Sequence, residues 1–390
     1  MSTPKGDTLK TRDSARNVRW DNYKALLALL MVYGHTFRTI NSAFPKMGGV
    51  FVFIYLFHMP AFLFVSGMFS KKAADHCDMR RAVSLFLQYL LVKFVLFFAG
   101  MATDQISSTT SFFSESGVAW FALTTMECLL LTMLLRKVKK SYVFVLSILI
   151  GCLGGFCTDI GTFLSLSRTF VYFPYFYLGY CLQSGDLEKT ADKLWVKLCS
   201  LGVLAAAFFL LVKNAGAVYP FSEFIKAKGP YSDYADILPQ TGLGALYRVI
   251  LYAAGFALVF ACFFLIPKRK IPLISGIGSR TLSLYVFHYV LVELTYKNNC
   301  LQNFALAHFE RTIGIALFYL AVSAGMAVIA SLPPLERFAR WVTAVPLRNT
   351  PKKHQAPPAK AVSGTQELPT EMEPQENPPS QDARENRGGQ

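Results

Sequence analysis

The stretch KALLALLMVYGHTFR, residues 24–38, decides the fold class. It is an apolar run of helical length carrying two ionisable groups, Lys24 at its start and His35 deep inside. A spanning helix needs about 20 mostly apolar residues. Ionisable groups within such a run face the bundle interior or a wet cavity. At about 100° and 1.5 Å per residue, the eleven-residue step from Lys24 to His35 is three turns plus roughly 20°, which puts both on one face about 16 Å apart. That spacing describes a cavity lining. Each residue alone also has a plainer reading: Lys24 as an interfacial lysine with its stem along lipid, and His35 as a structural histidine bonded to a neighbouring helix.

Working outward, similar runs recur near 22–41, 50–69, 83–103, 118–135, 141–160, 169–183, 194–213, 243–266, 281–298 and 312–332. The sixth, TFVYFPYFYLGYCL, is short and contains Pro174, so a kink or break is expected there. The expected fold class is all-α, a polytopic integral membrane protein with about ten transmembrane helices. Composition agrees, since only 16% of the 390 residues are charged, against about 25% in soluble proteins. The net charge of +15 sits in short clusters between apolar runs. A nucleic-acid site would need a basic stripe along one surface. The eight cysteines form no CxxC pair and the six histidines lie far apart, so neither a disulfide framework nor a metal site is expected. Ser66 lies in an SG pair without the nucleophile elbow of a serine hydrolase.

Loop charges set the expected orientation, because Lys and Arg favour the cytoplasmic side. Lys71, Lys72, Arg80 and Arg81 follow the second run; Arg136, Lys137, Lys139 and Lys140 follow the fourth; Lys268, Arg269, Lys270 and Arg280 follow the eighth. Residues 104–117 contain no Lys or Arg, and 161–168 only Arg168. Both termini are therefore expected in the cytoplasm, with the chain multi-pass in the cell inner (plasma) membrane. The domain reading is a basic cytoplasmic N-terminus over 1–20, leading into an uncleaved first span, then a transmembrane domain over 21–345. A cytoplasmic tail over 346–390, rich in Pro, Gln, Glu and Ser, is expected to be disordered. The longest outward loop, near 214–242, contains YPFSEFIKAKGPYSDYADILP. It reads either as a connector or as part of an acceptor-binding mouth.

The second run, FVFIYLFHMPAFLFVSGMFS, adds His58 before Pro60 and ends near Ser66-Gly67. A proline there frees a backbone carbonyl, and Ser-Gly permits close helix approach. Glu127 and Lys93, both inside apolar runs, are expected to pair.

Taken together, RWDNYKALLALLMVYGH and FHMPAFLFVSGMF resemble the membrane acyltransferase-3 family, whose members O-acylate sugars of surface polysaccharides and other acceptors. The resemblance continues in WFALTTMECLLL from Trp120, YFPYFYLGY from Tyr172 and IGSRTLSLYVFHYV from Ile277, and covers about residues 19–330. The DNxK and FHMP versions are most similar to the fucose 4-O-acetylase-like branch. The family's Arg/Lys-x10-His pattern falls on Lys24 and His35, which the resemblance implies are catalytic. The family often has an RxxR pair followed by Pro-Tyr at the third span. Here Arg81 is present, while Ser84 and Gln88 stand at the places of the second arginine and the proline.

The resemblance implies an acyl-CoA co-substrate, acetyl-CoA by default, and no bound cofactor. Coenzyme A carries phosphate charge, so Lys71, Lys72, Arg80 and Arg81 are its expected contacts, with Arg favoured for fork-like phosphate bonds. A neutral His35 would take the proton from an attacking acceptor hydroxyl. Asp21, His58, Ser66, Trp120 and His288 are the expected contacts to a glycan or lipid-linked sugar acceptor. Asp21 also reads as a partner of Lys24 or as a helix N-cap. Membrane lipid and polysaccharide-assembly proteins are the other expected partners. The rival reading is a multi-span transporter of a small solute or lipid-linked sugar, which should show two similar halves; the His35 and Pro60 features have no counterparts near 200–260.

Overall fold

The computed structural model describes residues 17–41, 43–103, 113–115, 117–238, 240–296 and 299–344. The basic stretch 1–16, most of the expected outward loop 104–117 and the expected tail lie outside the described residues. Among the described residues the protein is helical, with no strand and one isolated bridge between Ser114 and Phe163.

Each of the ten apolar runs is a helix: α1 Val18–Thr36, α2 Pro45–Phe69, α3 Met79–Thr103, α4 Trp120–Leu135, α5 Lys140–Leu153, α6 Leu166–Cys181, α7 Leu194–Lys213, α8 Gly244–Phe264, α9 Thr281–Tyr296 and α10 Thr312–Ala330. Among the described residues five are long and apolar enough to cross a membrane: α2, α3, α7, α10, and α8 with the turn before it. The helices α4 and α5 are apolar but shorter. Pro174 lies within an unbroken α6, and Pro60 likewise within α2. Both prolines are buried by neighbouring helices, the setting in which an interrupted helix ladder is tolerated at membrane depth.

The helix α1 begins earlier than its apolar run because its polar start is used for anchoring. Asn17 caps it, its side-chain oxygen accepting from Arg19 N at 3.1 Å. Arg19 donates to Asp192 at 2.7 Å and to the Glu188 carbonyl at 3.0 Å, and Trp20 Nε1 donates to Glu188 at 3.1 Å. Asn22 donates to the Pro267 and Arg269 carbonyls at 2.9 and 3.0 Å and accepts from Ser275 at 2.7 Å. At the other end Tyr33 donates to the Ala316 carbonyl at 3.1 Å, and Thr36 shares a hydrogen bond with Ser323 at 2.8 Å, both on α10.

The helices α2 and α6 cross in close contact. A Cβ at Gly67 would overlap the Phe176 carbonyl oxygen, and one at Gly179 would overlap the Phe64 carbonyl oxygen. This reciprocal use of glycine lets two backbones touch, as small residues do between membrane helices.

Two features differ from the sequence reading. Lys93 pairs with Glu115 at 2.7 Å, both side chains being buried, and Glu127 accepts a hydrogen bond from Thr169 at 2.5 Å. The acidic partner of Lys93 comes from the segment between α3 and α4 that the expected pairing overlooked. Beyond the last apolar run lies a further helix, α11 Pro333–Thr343. Its Glu336 accepts from the Ser283 backbone N at 2.9 Å and from Arg340 Nε at 2.5 Å. The first bond satisfies one of the free N–H groups at the start of α9.

Candidate active site

Lys24 opens onto a chamber of about 1190 Å³, its mouth included. Lys24 Nζ pairs with Asp21 at 2.8 Å and lies 5.8 Å from the Phe69 ring centroid. Asp21 is thus the partner of Lys24, and the cap is Asn17. Arg81 from α3 and Arg340 from α11 line the same chamber, together with Ser66 and Gln88. Among its described lining residues three are cationic and none acidic, which suits an anionic ligand.

His35 opens onto a second chamber of about 830 Å³, mouth included. The two chambers share Met31, Met59 and Tyr285 as lining residues. Met31 lies seven residues after Lys24 and four before His35 on the same helix, roughly 10 and 6 Å along its axis. The boundary between the two adjoining chambers therefore runs beside α1.

Around His35 the second chamber is aromatic and basic. The His35 ring, half-buried, stands 5.5 Å from the His288 ring, 5.3 Å from Tyr289 and 6.4 Å from Tyr55, centroid to centroid. Tyr296 donates to the His35 carbonyl and holds the end of α1. His288 is fully buried. Its Nδ1 lies 3.0 Å from the Leu284 and Tyr285 carbonyls, and its Nε2 has no hydrogen-bond partner among the described residues. Carbonyls only accept, so Nδ1 carries the proton, and in the neutral ring Nε2 presents a lone pair. His58 is held the same way, its Nδ1 2.8 Å from the Ile54 carbonyl.

The loop between α7 and α8 forms the far wall. Four consecutive carbonyls on it accept side-chain hydrogen bonds: Glu223 from Tyr234 at 3.3 Å, Phe224 from Arg248 at 3.2 Å, Ile225 from Tyr172 at 3.2 Å and Lys226 from Arg168 at 3.3 Å. Arg168 also donates to the Glu115 carbonyl at 3.1 Å. This clamp fixes Lys226 and Lys228 on the chamber lining. Burial pushes the Glu223 carboxyl up, but the hydrogen bond and charge of Lys226, with Lys228, outweigh it and leave the group below the usual carboxylate range.

The expected site residues divide between these places. His35, His58, Trp120 and His288 meet in the second chamber; Lys24, Ser66 and Arg81 meet in the first. Asp21 stands behind Lys24 as its counter-ion. Ser66 donates to the Phe62 carbonyl at 2.8 Å. The Trp120 ring is stacked on Tyr172 at 5.4 Å and carries the Arg168 guanidinium at 4.8 Å. Lys71 donates to the Leu182 carbonyl, and Lys72 and Arg80 are exposed; these three stand apart from the residues lining either chamber. Arg38, Tyr289, Lys226, Lys228 and Arg340 line the chambers without having been singled out from sequence. Arg38 was the legible one, lying one turn beyond His35.

An apolar helical bundle with a histidine chamber sharing part of its lining with a basic one defines a membrane protein built around an internal site. The acyltransferase-domain profile of the acyltransferase-3 family matches residues 17–332, and the chain belongs to that family as a membrane acyltransferase. It is also similar to nodulation protein NolL of Sinorhizobium fredii (strain NBRC 101917 / NGR234), 22% identical over 302 residues, covering 72% of this chain and 79% of the relative. No solved structure matches.

Proposed function

We propose that the protein moves an acetyl or other acyl group from acyl-CoA to a hydroxyl of a sugar in a surface polysaccharide or its lipid-linked precursor. The observation that carries this reading is the pair of adjoining chambers that share Met31, Met59 and Tyr285, one basic at Lys24 and the other holding His35. The phosphates of the donor bind Lys24, Arg81 and Arg340, Arg81 being the expected contact whose position suits the role best. By the loop-charge rule this end faces the cytoplasm, where acyl-CoA is made. The pantetheine arm threads past Met31 and Met59, bringing the thioester beside His35.

In the reaction the neutral His35 imidazole takes the proton as the acceptor oxygen attacks the thioester carbonyl, and a C–O bond forms. Collapse of the tetrahedral intermediate breaks the C–S bond, and the proton passes to the departing thiolate to give free CoA. The cationic groups around His35 stabilise the transient oxyanion. The free Nε2 lone pair of His288 accepts a hydrogen bond from the acceptor sugar or from His35 itself. Lys24, about 16 Å from His35 by helix rise, holds the donor and takes no part in proton transfer.

The test is release of CoA from acetyl-CoA by membranes holding the protein, on addition of candidate acceptor glycans. His35→Ala should abolish release while expression and insertion persist. A well-folded His35→Ala protein with full activity would refute the mechanism. Solute flux without CoA release would favour a transporter instead.

A further inference from the structure

The chamber around His35 holds more positive charge than acyl transfer to a neutral sugar requires. Among its described lining residues four are cationic, Arg38, Arg168, Lys226 and Lys228, and none is acidic. Arg168 is 4% exposed and sits on Trp120. Lys226 lies 5.7 Å from the centroid of the Tyr55 ring, which itself stands 6.4 Å from His35. Both lysines share one carboxylate, Glu223, at 2.5 and 3.3 Å. Burial holds the Lys226 ammonium below the usual lysine range despite that contact, so a second anion beside it would be favoured. A developing oxyanion engages one or two of these donors, and on the reading above the donor's phosphates sit in the other chamber. The charge that remains is fixed in place: the backbone of 223–226 is held by four side chains, and little ordering would be needed on binding.

We infer that the acceptor is itself anionic, a sugar bearing a carboxylate or a phosphate close to the hydroxyl that is acylated. Arg38, Lys226 and Lys228 bind that charge, and Arg168 supports it from behind Trp120. This inference rests on the acyl-transfer reading for the identity of the chamber, but binding can be tested without turnover. Guanidinium and ammonium groups in a low-dielectric cleft form charge-assisted bonds about twice as strong as neutral ones, so the contrast between charged and neutral sugars should be large.

The experiment uses the full chain carrying His35→Ala, in lipid nanodiscs with saturating CoA, and calorimetric titration of three probes. These are methyl glucoside, methyl glucuronide and glucose 1-phosphate. At least one charged probe should bind ten times more tightly than methyl glucoside, and the charged probe that wins separates a carboxylate from a phosphate acceptor. Lys226→Gln with Lys228→Gln should reduce the preference below threefold, while Lys226→Arg with Lys228→Arg, a control for folding, should retain it. Equal binding of the neutral sugar would overturn the inference. So would persistence of the preference in the double glutamine variant, or displacement of the charged probe by rising CoA, which would assign these cations to the donor. A clear preference alongside no CoA release from any acceptor in the native protein would remove the acyl-transfer reading and leave the anion site standing.

Discussion

Replacing Met31 with tryptophan tests directly the proposed path of the donor from one chamber to the other. Met31 is buried on the Lys24–His35 face of α1 and lines both cavities, about 6 Å short of His35 along the helix. An indole there should block any opening between the chambers without touching Lys24, Arg81 and Arg340, the proposed donor contacts. The thioester must come within roughly 3–3.5 Å of the attacking oxygen, and a misplacement of about 1 Å costs on the order of 100-fold. A loss of at least about 100-fold in kcat is therefore expected, about 2.7 kcal/mol of transition-state stabilisation. Affinity for CoA should change by less than about threefold, under 0.7 kcal/mol at about 1.4 kcal/mol per decade. The assay pairs CoA release under saturating acceptor with equilibrium binding of CoA. Met31→Leu, which conserves volume and should cost less than about 1.5 kcal/mol in stability, controls for repacking. Two results would refute the reasoning: native turnover in Met31→Trp, or a loss of CoA affinity as large as the loss of rate.

Gly67→Ala or Gly179→Ala should force α2 and α6 apart and destabilise the fold by about 1–3 kcal/mol, read as a lower midpoint of thermal unfolding in detergent. Lys93→Met should strand the buried Glu115 carboxylate and cost about 3–5 kcal/mol, whereas Lys93→Met combined with Glu115→Leu should recover most of that stability. Glu223 has a pKa below its ordinary value, so its contribution is fully present above the unfolded-state value of about 4.3 and is lost as pH falls through the lower folded value. Hydrogen exchange over residues 222–228 should accelerate on acidification below about pH 4, and Glu223→Gln should remove most of that dependence.

Much of the bundle was legible because apolar length is a strong local signal. Every run from 22–41 to 312–332 became a helix, with ends shifted where polar residues acquired partners. Lys24 and His35 were legible for the same reason, since eleven residues on one helix is a local distance. The part that α11 plays in the Lys24 chamber was not, because Arg340 sits on an amphipathic helix whose charges hide it among ordinary surface segments. Lys226 and Lys228 belong to a loop nearly two hundred residues from His35 in sequence. The side chains of Tyr172, Arg168 and Arg248, brought in from α6 and α8, together with the loop's own Tyr234, hold that loop beside the histidine. The pairing of Lys93 with Glu115 was missed on similar grounds: hydropathy shows which residues share a membrane, but not which connecting segment folds back to meet them.

On the proposed acyl-transfer function, the anchoring of α1 has a consequence for donor choice. Asn17, Arg19, Trp20 and Asn22 fasten one end of the helix, and Tyr33 and Thr36 fasten the other. A helix tied at both ends cannot slide, so the span from Lys24 to His35 acts as a ruler of fixed length. Any thioester whose charged handle and reactive carbonyl are separated by much less than about 16 Å can reach one mark but not the other. Acetyl-N-acetylcysteamine, which lacks the charged handle altogether, should likewise be a poor donor in turnover as well as in affinity, because remote binding energy would no longer hold the carbonyl at the histidine.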